Sequence, residues 1–330
     1  MAVDVSILIV TYRCRDEARH CLASIPPSRA GLDCEVIVLD NDSRDGTAEM
    51  IRSEFPRVRL IALEENCGFA AGVNRAAEDA TGEYLLLLNP DTVVHEGAVQ
   101  NLVTFAREHP EHGIYGGRTL RPDGTVDPGS CWGLPSLWSL FCFSTMLSTA
   151  FKRSRLFDPE SLGRWERDTV REVGMVTGCL LLASRSIWRQ LGGFDTRFFM
   201  YGEDADLSLR ARKRGLRPAI TPAAVVTHEV GVSSSSRPDK IVLLLRGKVT
   251  LARKHWRPLK ARAGVLLIVL GVALRAVLAR WLGRSGGERS TAWPEVWAAR
   301  ASWLPGYPTT AHGSHPVAIA AEQEPRAVQQ

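Results

Sequence analysis

Aromatic residues are scarce, at 7 % of the chain, and they do not interleave with its basic segment in a stacking pattern, so a nucleic-acid groove is not indicated. No C-x-x-C pair occurs. The seven cysteines (Cys14, Cys21, Cys34, Cys67, Cys131, Cys142 and Cys179) are odd in number and scattered. That excludes a disulfide framework and a cysteine zinc site, and a reducing compartment is the simplest reading. No signal-peptide pattern opens the chain: Asp4 interrupts it, and Val5–Val10 has the length of a strand with no basic stretch before it. Cytoplasmic location is the expectation. The apolar run Ala263–Leu274 stops at twelve residues, short of the roughly 20 that a membrane span needs. No internal repeat is present.

What the chain does contain is ordinary for a globular protein. Its 330 residues suit about two domains, and 45 % hydrophobic with 23 % charged residues excludes wholesale disorder, a collagen-like fibre and a multi-span membrane protein. The net charge of +5 is too small to argue for nucleic acid, but it is unevenly spread. Residues 237–300 hold fourteen basic and three acidic side chains, a local +11, while residues 1–236 carry a net −5. An acidic body with a basic C-terminal segment suggests a surface that seeks anionic lipid or another polyanion.

The first half alternates strand-length apolar runs (Val5–Val10, Glu35–Leu39, Val58–Leu63, Tyr84–Leu88) with helical patterns over Asp16–Ile25, Thr47–Phe55 and Ala70–Ala80. This repetition predicts a mostly parallel α/β sheet flanked by helices, buried on both faces. Further on, Arg118–Val126 reads as a hairpin around Asp123-Gly124, residues 128–170 as an irregular insertion, and Val173–Ala183 as one buried strand. Gly192-Gly193 marks a turn, a helix runs from about Asp204 to Arg214, and residues 301–330 lack periodicity and read as a disordered tail. The expected units are a catalytic domain over 1–236, a basic and partly apolar helical extension over 237–300, and the tail over 301–330.

Ligands of such sheets bind beyond the C-terminal strand ends. There the chain places Thr11-Tyr12, Asp40-Asn41-Asp42-Ser43 and Asn89-Pro90-Asp91. Carboxylates crowded at one edge repel unless a cation or hydrogen-bond donors bind there. Asp40 suits a pyrimidine N3–H or ribose hydroxyls, and Asp91 suits a divalent cation on a pyrophosphate. Asp42, Ser43 and Asp45 are equally the residues that cap turns and helix starts. Gly68 and Gly72 allow either a ligand or a sheet to come close. Glu203-Asp204 suits a helix N-terminus, and the aromatic run Phe198–Tyr201 before it suits a tuned general base. His228 ends the apolar run 223–226 and becomes a second metal-ligand candidate in company with Asp91.

Together these residues resemble glycosyltransferase family 2 of the GT-A fold, and within it the bacterial rhamnosyltransferase-like group. The matching pieces are Thr11-Tyr12, Asp40-Asn41-Asp42-Ser43, Asn66-x-Gly68-Phe69-x-x-Gly72-x-Asn74, Asn89-Pro90-Asp91, Gly192-Gly193-Phe194-Asp195, Glu203-Asp204-x-Asp206-Leu207 and His228, in order over about residues 4–230. The resemblance implies donor contacts from Thr11, Tyr12, Asp40, Asp42, Gly68, Asn74 and Asn89. It implies Mn²⁺ or Mg²⁺ on Asp91 and His228, and Asp204 as catalytic base. Asn89 stands where the wider family often has Asp, a departure that the rhamnosyltransferase-like group shares. The implied reaction is inverting transfer of a sugar, with L-rhamnose from dTDP-rhamnose the first choice and a UDP-sugar the alternative. The acceptor would be lipid-linked or a polysaccharide of the bacterial cell envelope.

Two rival classes are a nucleotidyltransferase and a non-enzymatic sugar-binding protein. The first needs a glycine-rich phosphate loop after strand one, yet no glycine occurs before Gly31; the second has no need of Asp40, Asp91, Asp204 and His228 together. The short apolar run, with Arg246, Lys248, Arg253, Lys254, Arg257, Lys260 and Arg262 before it and Arg275, Arg280 and Arg284 after it, fits a helix lying at the inner face of the cytoplasmic membrane.

Overall fold

The computed structural model describes residues 3–25, 31–228, 237–282 and 292–309. The four apolar runs of the first half form β1 (Val5–Thr11), β2 (Cys34–Asp40), β3 (Arg59–Ala62) and β4 (Tyr84–Leu88). Between them lie α1 (Arg15–Ser24), α2 (Thr47–Glu54) and α3 (Phe69–Glu78). The strands align in parallel in the order β3-β2-β1-β4. Along β1, Val5, Ile7 and Ile9 enter one apolar cluster and Leu8 and Val10 the opposite one. This alternation explains the unbroken run: both faces of the strand are covered.

The chain continues through β5 (Thr92–Val94), α4 (Ala98–Glu108), β6 (Ile114–Leu120) and β7 (Val126–Asp127), the last two closing the expected hairpin. Residues 128–170 are more ordered than expected, with β8 (Cys131–Trp132), α5 (Leu137–Ser144) and α6 (Leu147–Ala150). The single strand expected over Val173–Ala183 is three pieces in company with β9 (Arg171–Glu172): β10 (Met175–Val176), a turn, and β11 (Leu180–Ser184). β10 pairs with β8 in a separate small sheet, whereas β11 joins the main one. The Thr177 hydroxyl, 2.9 Å from the Gly129 carbonyl oxygen, holds the turn between them. Hydropathy alone does not separate two buried strands joined by so short a turn.

Then come α7 (Arg185–Leu191), α8 (Glu203–Lys213) and β12 (Ala219–His228). The main sheet reads β3-β2-β1-β4-β11-β6-β12-β5, with β11 antiparallel to both neighbours and β5 antiparallel to β12. This is the mostly parallel, helix-flanked α/β sheet read from the sequence.

The C-terminal part forms α9 (Arg237–His255), α10 (Pro258–Leu282), α11 (Ala292–Ala298) and α12 (Arg300–Trp303). Leu140 of α5, Leu245 and Val249 of α9, Ile268 and Val272 of α10, Val296 of α11 and Trp303 of α12 share one apolar core. The tail expected over 301–330 does not start at residue 301, because Trp303 is fully buried and Tyr307 nearly so; the rest of that expectation, over 310–330, lies outside the described residues. α10 is also longer than its twelve-residue apolar run suggested. Pro258–Trp281 is long and apolar enough to cross a membrane, with a mean hydropathy of 2.1. Arg275, which marked the end of the run in sequence, is instead buried. Its guanidinium donates to the carbonyl oxygens of Phe143 (2.6 Å) and Gly271 (3.0 Å) and to the Thr149 hydroxyl (3.1 Å).

Core and surface of this fold separate in a stability measurement. Leu86→Ala in fully buried β4 is expected to cost about 2–5 kcal/mol. Leu266→Ala on the exposed side of α10 is expected to change stability by less than about 0.5 kcal/mol. Urea titration of the two variants distinguishes them.

Candidate active site

The register of β1 on β2 sets Thr11 beside Asp40. The buried Asp40 carboxylate accepts from the Thr11 hydroxyl (2.9 Å) and the Ser43 hydroxyl (2.5 Å) through Oδ1, and from the Ser43 N–H (3.3 Å) through Oδ2. Thr11 thus orients Asp40, and Oδ2 keeps only the one long bond. Tyr12 follows half-buried, with the Arg13 guanidinium 5.3 Å from its ring centre. Asp42 sits on the turn at φ 63° and pairs with Arg44 at 2.6 Å. Asp45 caps the next helix by accepting from the Thr47 N–H at 3.0 Å.

Gly68 has φ 84°, and a Cβ there would stand 2.5 Å from the Phe199 carbonyl oxygen. The Phe69 N–H donates to that same oxygen at 2.8 Å, so the glycine lets the loop before α8 press against the start of α3. Asn74 is engaged away from any ligand. Its amide donates to the Phe194 carbonyl oxygen (2.8 Å) and accepts from the Phe194 N–H (2.9 Å), which uses both ends of the side chain. The Asn89 side-chain amide has no hydrogen-bond partner among the described residues.

β12 runs beside β5 with His228 opposite Thr92, which brings His228 to Asp91. His228 Nε2 lies 3.2 Å from Asp91 Oδ1, and Nδ1 lies 3.5 Å from Asp127 Oδ2. Burial disfavours the imidazolium, but contacts with Asp127 and Asp91 outweigh it and hold the group up at about 10. Asp127 is likewise held below the usual carboxylate range: burial would raise it, yet the His228 contact and the Gly129 N–H prevail. Asp91 Oδ1 is buried and makes no aligned hydrogen bond among the described residues despite its closeness to the ring. A buried carboxylate oxygen without a partner, an imidazole nitrogen beside it and a second carboxylate steadying the far ring nitrogen form a donor set that fits a divalent cation.

α8 carries the remaining carboxylates. Burial raises Asp204 to about 6, although the N–H groups of Ala205, Asp204 and Gly178 pull the other way. Burial and the neighbouring Asp204 charge push Glu203 well above its ordinary value, and its Oε2 is buried with no partner. Glu203 therefore holds its proton more firmly than Asp204: adjacent carboxylates, separated by environment. Gly178 precedes Cys179, whose carbonyl oxygen accepts from the Asn89 N–H at 3.3 Å, so Asp204 stands at the same sheet edge as the Asn89-Pro90-Asp91 turn.

Two parts of this region escaped the sequence. Asp127 follows the expected hairpin directly, and that position was the one available signal. On α8, fully buried Asp206 is bound by Arg210 (2.7 Å), Lys254 (2.6 Å) and His255 (2.7 Å), and Lys254 also holds Asp195 at 2.6 Å. Of the basic residues first read as facing lipid, Lys248 binds Glu160 at 2.7 Å, and Arg246, Arg253 and Arg275 donate to backbone oxygens. The body's own acids and carbonyls take up much of that charge.

Comparison with known proteins matches residues 6–163 to the sequence model for glycosyl transferase family 2. The N-acetylglucosaminyl-diphospho-decaprenol L-rhamnosyltransferase of Mycobacterium tuberculosis is 30 % identical over 250 residues, 70 % of this chain and 78 % of that protein. The chain belongs to glycosyltransferase family 2. The low-salt glycan biosynthesis hexosyltransferase Agl10 of Haloferax volcanii is 24 % identical over 220 residues, 66 % of this chain and 64 % of that protein. Among solved structures, the mannosyltransferase PcManGT of Pyrobaculum calidifontis, in complex with GDP-Man and Mn²⁺, shares the GT-A fold. Its TM-score is 0.52 at 21 % identity, covering 91 % of this chain and 81 % of that one. The rival nucleotidyltransferase and binding-protein readings give way to a glycosyltransferase.

Within this glycosyltransferase, the two hydrogen bonds of Asn74 make it a strut. Asn74→Ala is expected to lower stability by about 1–3 kcal/mol, because it strands the Phe194 backbone groups. Binding of a nucleoside diphosphate, measured by calorimetry, is expected to stay at the wild-type level.

Proposed function

We propose that this glycosyltransferase moves L-rhamnose from dTDP-L-rhamnose to a lipid-linked or polysaccharide acceptor by metal-dependent, inverting single displacement. The observation that carries the reading is the pairing of Asp91 Oδ1, buried without a hydrogen-bond partner among the described residues, with His228 Nε2 at 3.2 Å, at the edge where Asp204 stands desolvated. The rhamnosyltransferase name of the M. tuberculosis relative supports the sugar, and the GDP-Man and Mn²⁺ bound to the Pyrobaculum enzyme support a sugar-nucleotide donor and a divalent cation.

In this reading Asp40, oriented by Thr11 and Ser43, accepts from the donor base or ribose, and Asn89 offers its unengaged amide to the donor. Asp91 and His228 would hold Mn²⁺ or Mg²⁺, which when bound supplies positive charge against the departing nucleoside diphosphate. Asp127 keeps the His228 ring oriented from behind. Asp204 removes the proton from the acceptor hydroxyl as its oxygen bonds to the anomeric carbon and the bond to the diphosphate oxygen breaks. No covalent enzyme intermediate is needed.

The membrane reading rests on α10. Leu259, Leu266, Leu270, Leu274, Val277 and Trp281 are exposed along one side, while Ala261, Ile268, Val272, Arg275 and Ala276 are buried on the other. A span would expose that packed side, including Arg275, to hydrocarbon. A helix lying in the interface keeps it docked. Exposed Arg257, Lys260 and Arg262 at one end and Arg280 at the other make no ion pair among the described residues, and they suit an anionic bilayer surface. These features support reading the enzyme as peripheral at the inner face of the cytoplasmic membrane, where a lipid-linked acceptor would meet a soluble donor.

A panel of nucleotide sugars with Mn²⁺ is expected to release nucleoside diphosphate best from the dTDP-rhamnose donor; preference for a UDP-sugar would replace the donor assignment and leave the chemistry in place. Asp204→Asn is expected to lower turnover about 10²–10⁴-fold with little change in donor binding. Because Asp204 acts ionised and its carboxyl is raised to about 6, kcat/KM should fall as pH drops through that region and level off above it. EDTA should silence the enzyme, and an unchanged Mn²⁺ titration in Asp91→Ala would remove that residue from the site. For the membrane, wild type should float with anionic vesicles at low salt and less so at high salt, each basic contact contributing about 1 kcal/mol. A variant with Leu266, Leu270 and Val277 changed to Glu should stay behind; equal flotation of both contradicts the interfacial helix.

A further inference from the structure

The loop that leads into α8 does not hold its own shape. Tyr201 (φ 68°) and Gly202 (φ 110°) adopt left-handed backbone in succession, immediately before Glu203 and Asp204. Tyr201 is a bulky side chain in a conformation that needs support from its surroundings. Gly202 begins the helix with no side-chain cap. One anchor is the bond from the Phe69 N–H to the Phe199 carbonyl oxygen already described.

The other anchor comes from the far end of the chain. The Tyr307 hydroxyl donates to the Met200 carbonyl oxygen at 2.5 Å and accepts from the Met200 N–H at 3.4 Å. Its ring meets Phe198 edge-on at 5.9 Å, and the Arg246 guanidinium of α9 lies 4.9 Å from the ring centre. The Tyr307 N–H donates to Thr250 Oγ1 at 2.7 Å, and that hydroxyl donates to the Arg246 carbonyl oxygen at 2.8 Å. α9 itself approaches so closely that a Cβ on Gly247 would stand 2.2 Å from the Tyr201 carbonyl oxygen. Past Asp204, the same helix grips Asp206 through Lys254 and His255. α9 and the segment 304–307 thus hold α8 on both sides of Asp204.

We propose that the C-terminal segment around Tyr307, fastened to α9 by Thr250, is a positioning element of the active site that holds loop 198–202 so that α8 presents Asp204 to the acceptor hydroxyl. This rests on the reading of Asp204 as the base. Tyr307 is a positioning residue: it touches the loop backbone, and its effect passes through Asp204. A base displaced by about 1 Å can lose roughly 10²-fold in rate. Among the described residues, Tyr307 and Thr250 make no hydrogen bond to Asp40, Asp91 or His228, so cutting the clasp is expected to change donor binding little.

The test uses the full chain with Tyr307→Phe, which keeps the ring and removes the hydroxyl, Thr250→Val, which removes the acceptor for the Tyr307 N–H, and Thr250→Ser, which keeps it. Two readouts are taken: nucleoside diphosphate release from dTDP-L-rhamnose, or from the best donor of the panel, with Mn²⁺, and amide hydrogen exchange over residues 198–204. In Tyr307→Phe and Thr250→Val, kcat should fall roughly ten- to a hundredfold with donor KM near the wild-type value, Thr250→Ser should restore it, and exchange should quicken in residues 198–204 above all. Unchanged exchange in that loop, or faster exchange there with unchanged kcat, overturns the proposal. So does a rise in exchange across the whole sheet with kcat and KM both disturbed, which marks a general loss of structure. A wild type that turns over no donor contradicts the transferase reading, and the loop's exchange then still decides whether the clasp exists.

Discussion

The imidazole of His228 between two buried carboxylates is the contact on which the site depends. Asp91 follows β4, Asp127 ends the short β7 and His228 ends β12, so three distant parts of the chain meet only if the sheet register is right. At a buried edge the two carboxylates would repel; the ring that separates them, 3.2 Å from one and 3.5 Å from the other, relieves this as an imidazolium, and a divalent cation held there would take over that charge as the ring gives up its proton and ligates as neutral imidazole. The insertion of antiparallel β11 between β4 and β6 then leaves room for Gly178 and Asp204 at the same edge. One alignment of strands thereby collects the residues proposed to bind donor and metal and to act as base from across the chain.

A second layer makes that edge rigid. The C-terminal helices are bound to the sheet domain by two kinds of interaction that differ in reach. Apolar side chains from α5, α9, α10, α11 and α12 form their own core, while Lys254 and His255 enter the sheet domain to bind Asp195 and Asp206. Ion pairs around a fully buried carboxylate hold geometry more than they add stability, since desolvation offsets much of their attraction. The helical extension is therefore better described as part of the enzyme's frame than as an appended lipid anchor, and the proposed lipid contact narrows to one side of α10.

Much of this was legible in the sequence. β1 to β4 stood out because strands covered on both faces leave unbroken apolar runs, and Asp40, Asp91 and His228 stood out because each is polar at the end of such a run. Asp204 was marked by its place at a helix start after an aromatic stretch. What stayed hidden depends on partners remote in the chain. Asn74 looked like a ligand residue because nothing local reveals that Phe194 takes both ends of its amide. Lys254 looked like a member of a basic patch, since a cation that meets a buried acid and one that meets water read alike. Arg275 looked like a surface cation on the continuation of a short apolar helix, whereas its guanidinium is buried and satisfied by α5 and Thr149. Tyr307 lay in a stretch of Pro, Gly and Ala without periodicity, and its role is set by a contact with Met200, far away in sequence.

The central claim is that Asp91 and His228 form the metal-binding pair of a sugar-nucleotide site. Crystals grown with Mn²⁺ and a nucleoside diphosphate, measured at a wavelength where manganese scatters anomalously, test it most directly. The account predicts one strong peak within about 2.0–2.6 Å of an Asp91 carboxylate oxygen and in bonding contact with His228 Nε2, with the diphosphate beside it. A peak elsewhere, such as at the His109, Glu111 and His112 cluster after α4, with none at Asp91, would contradict it.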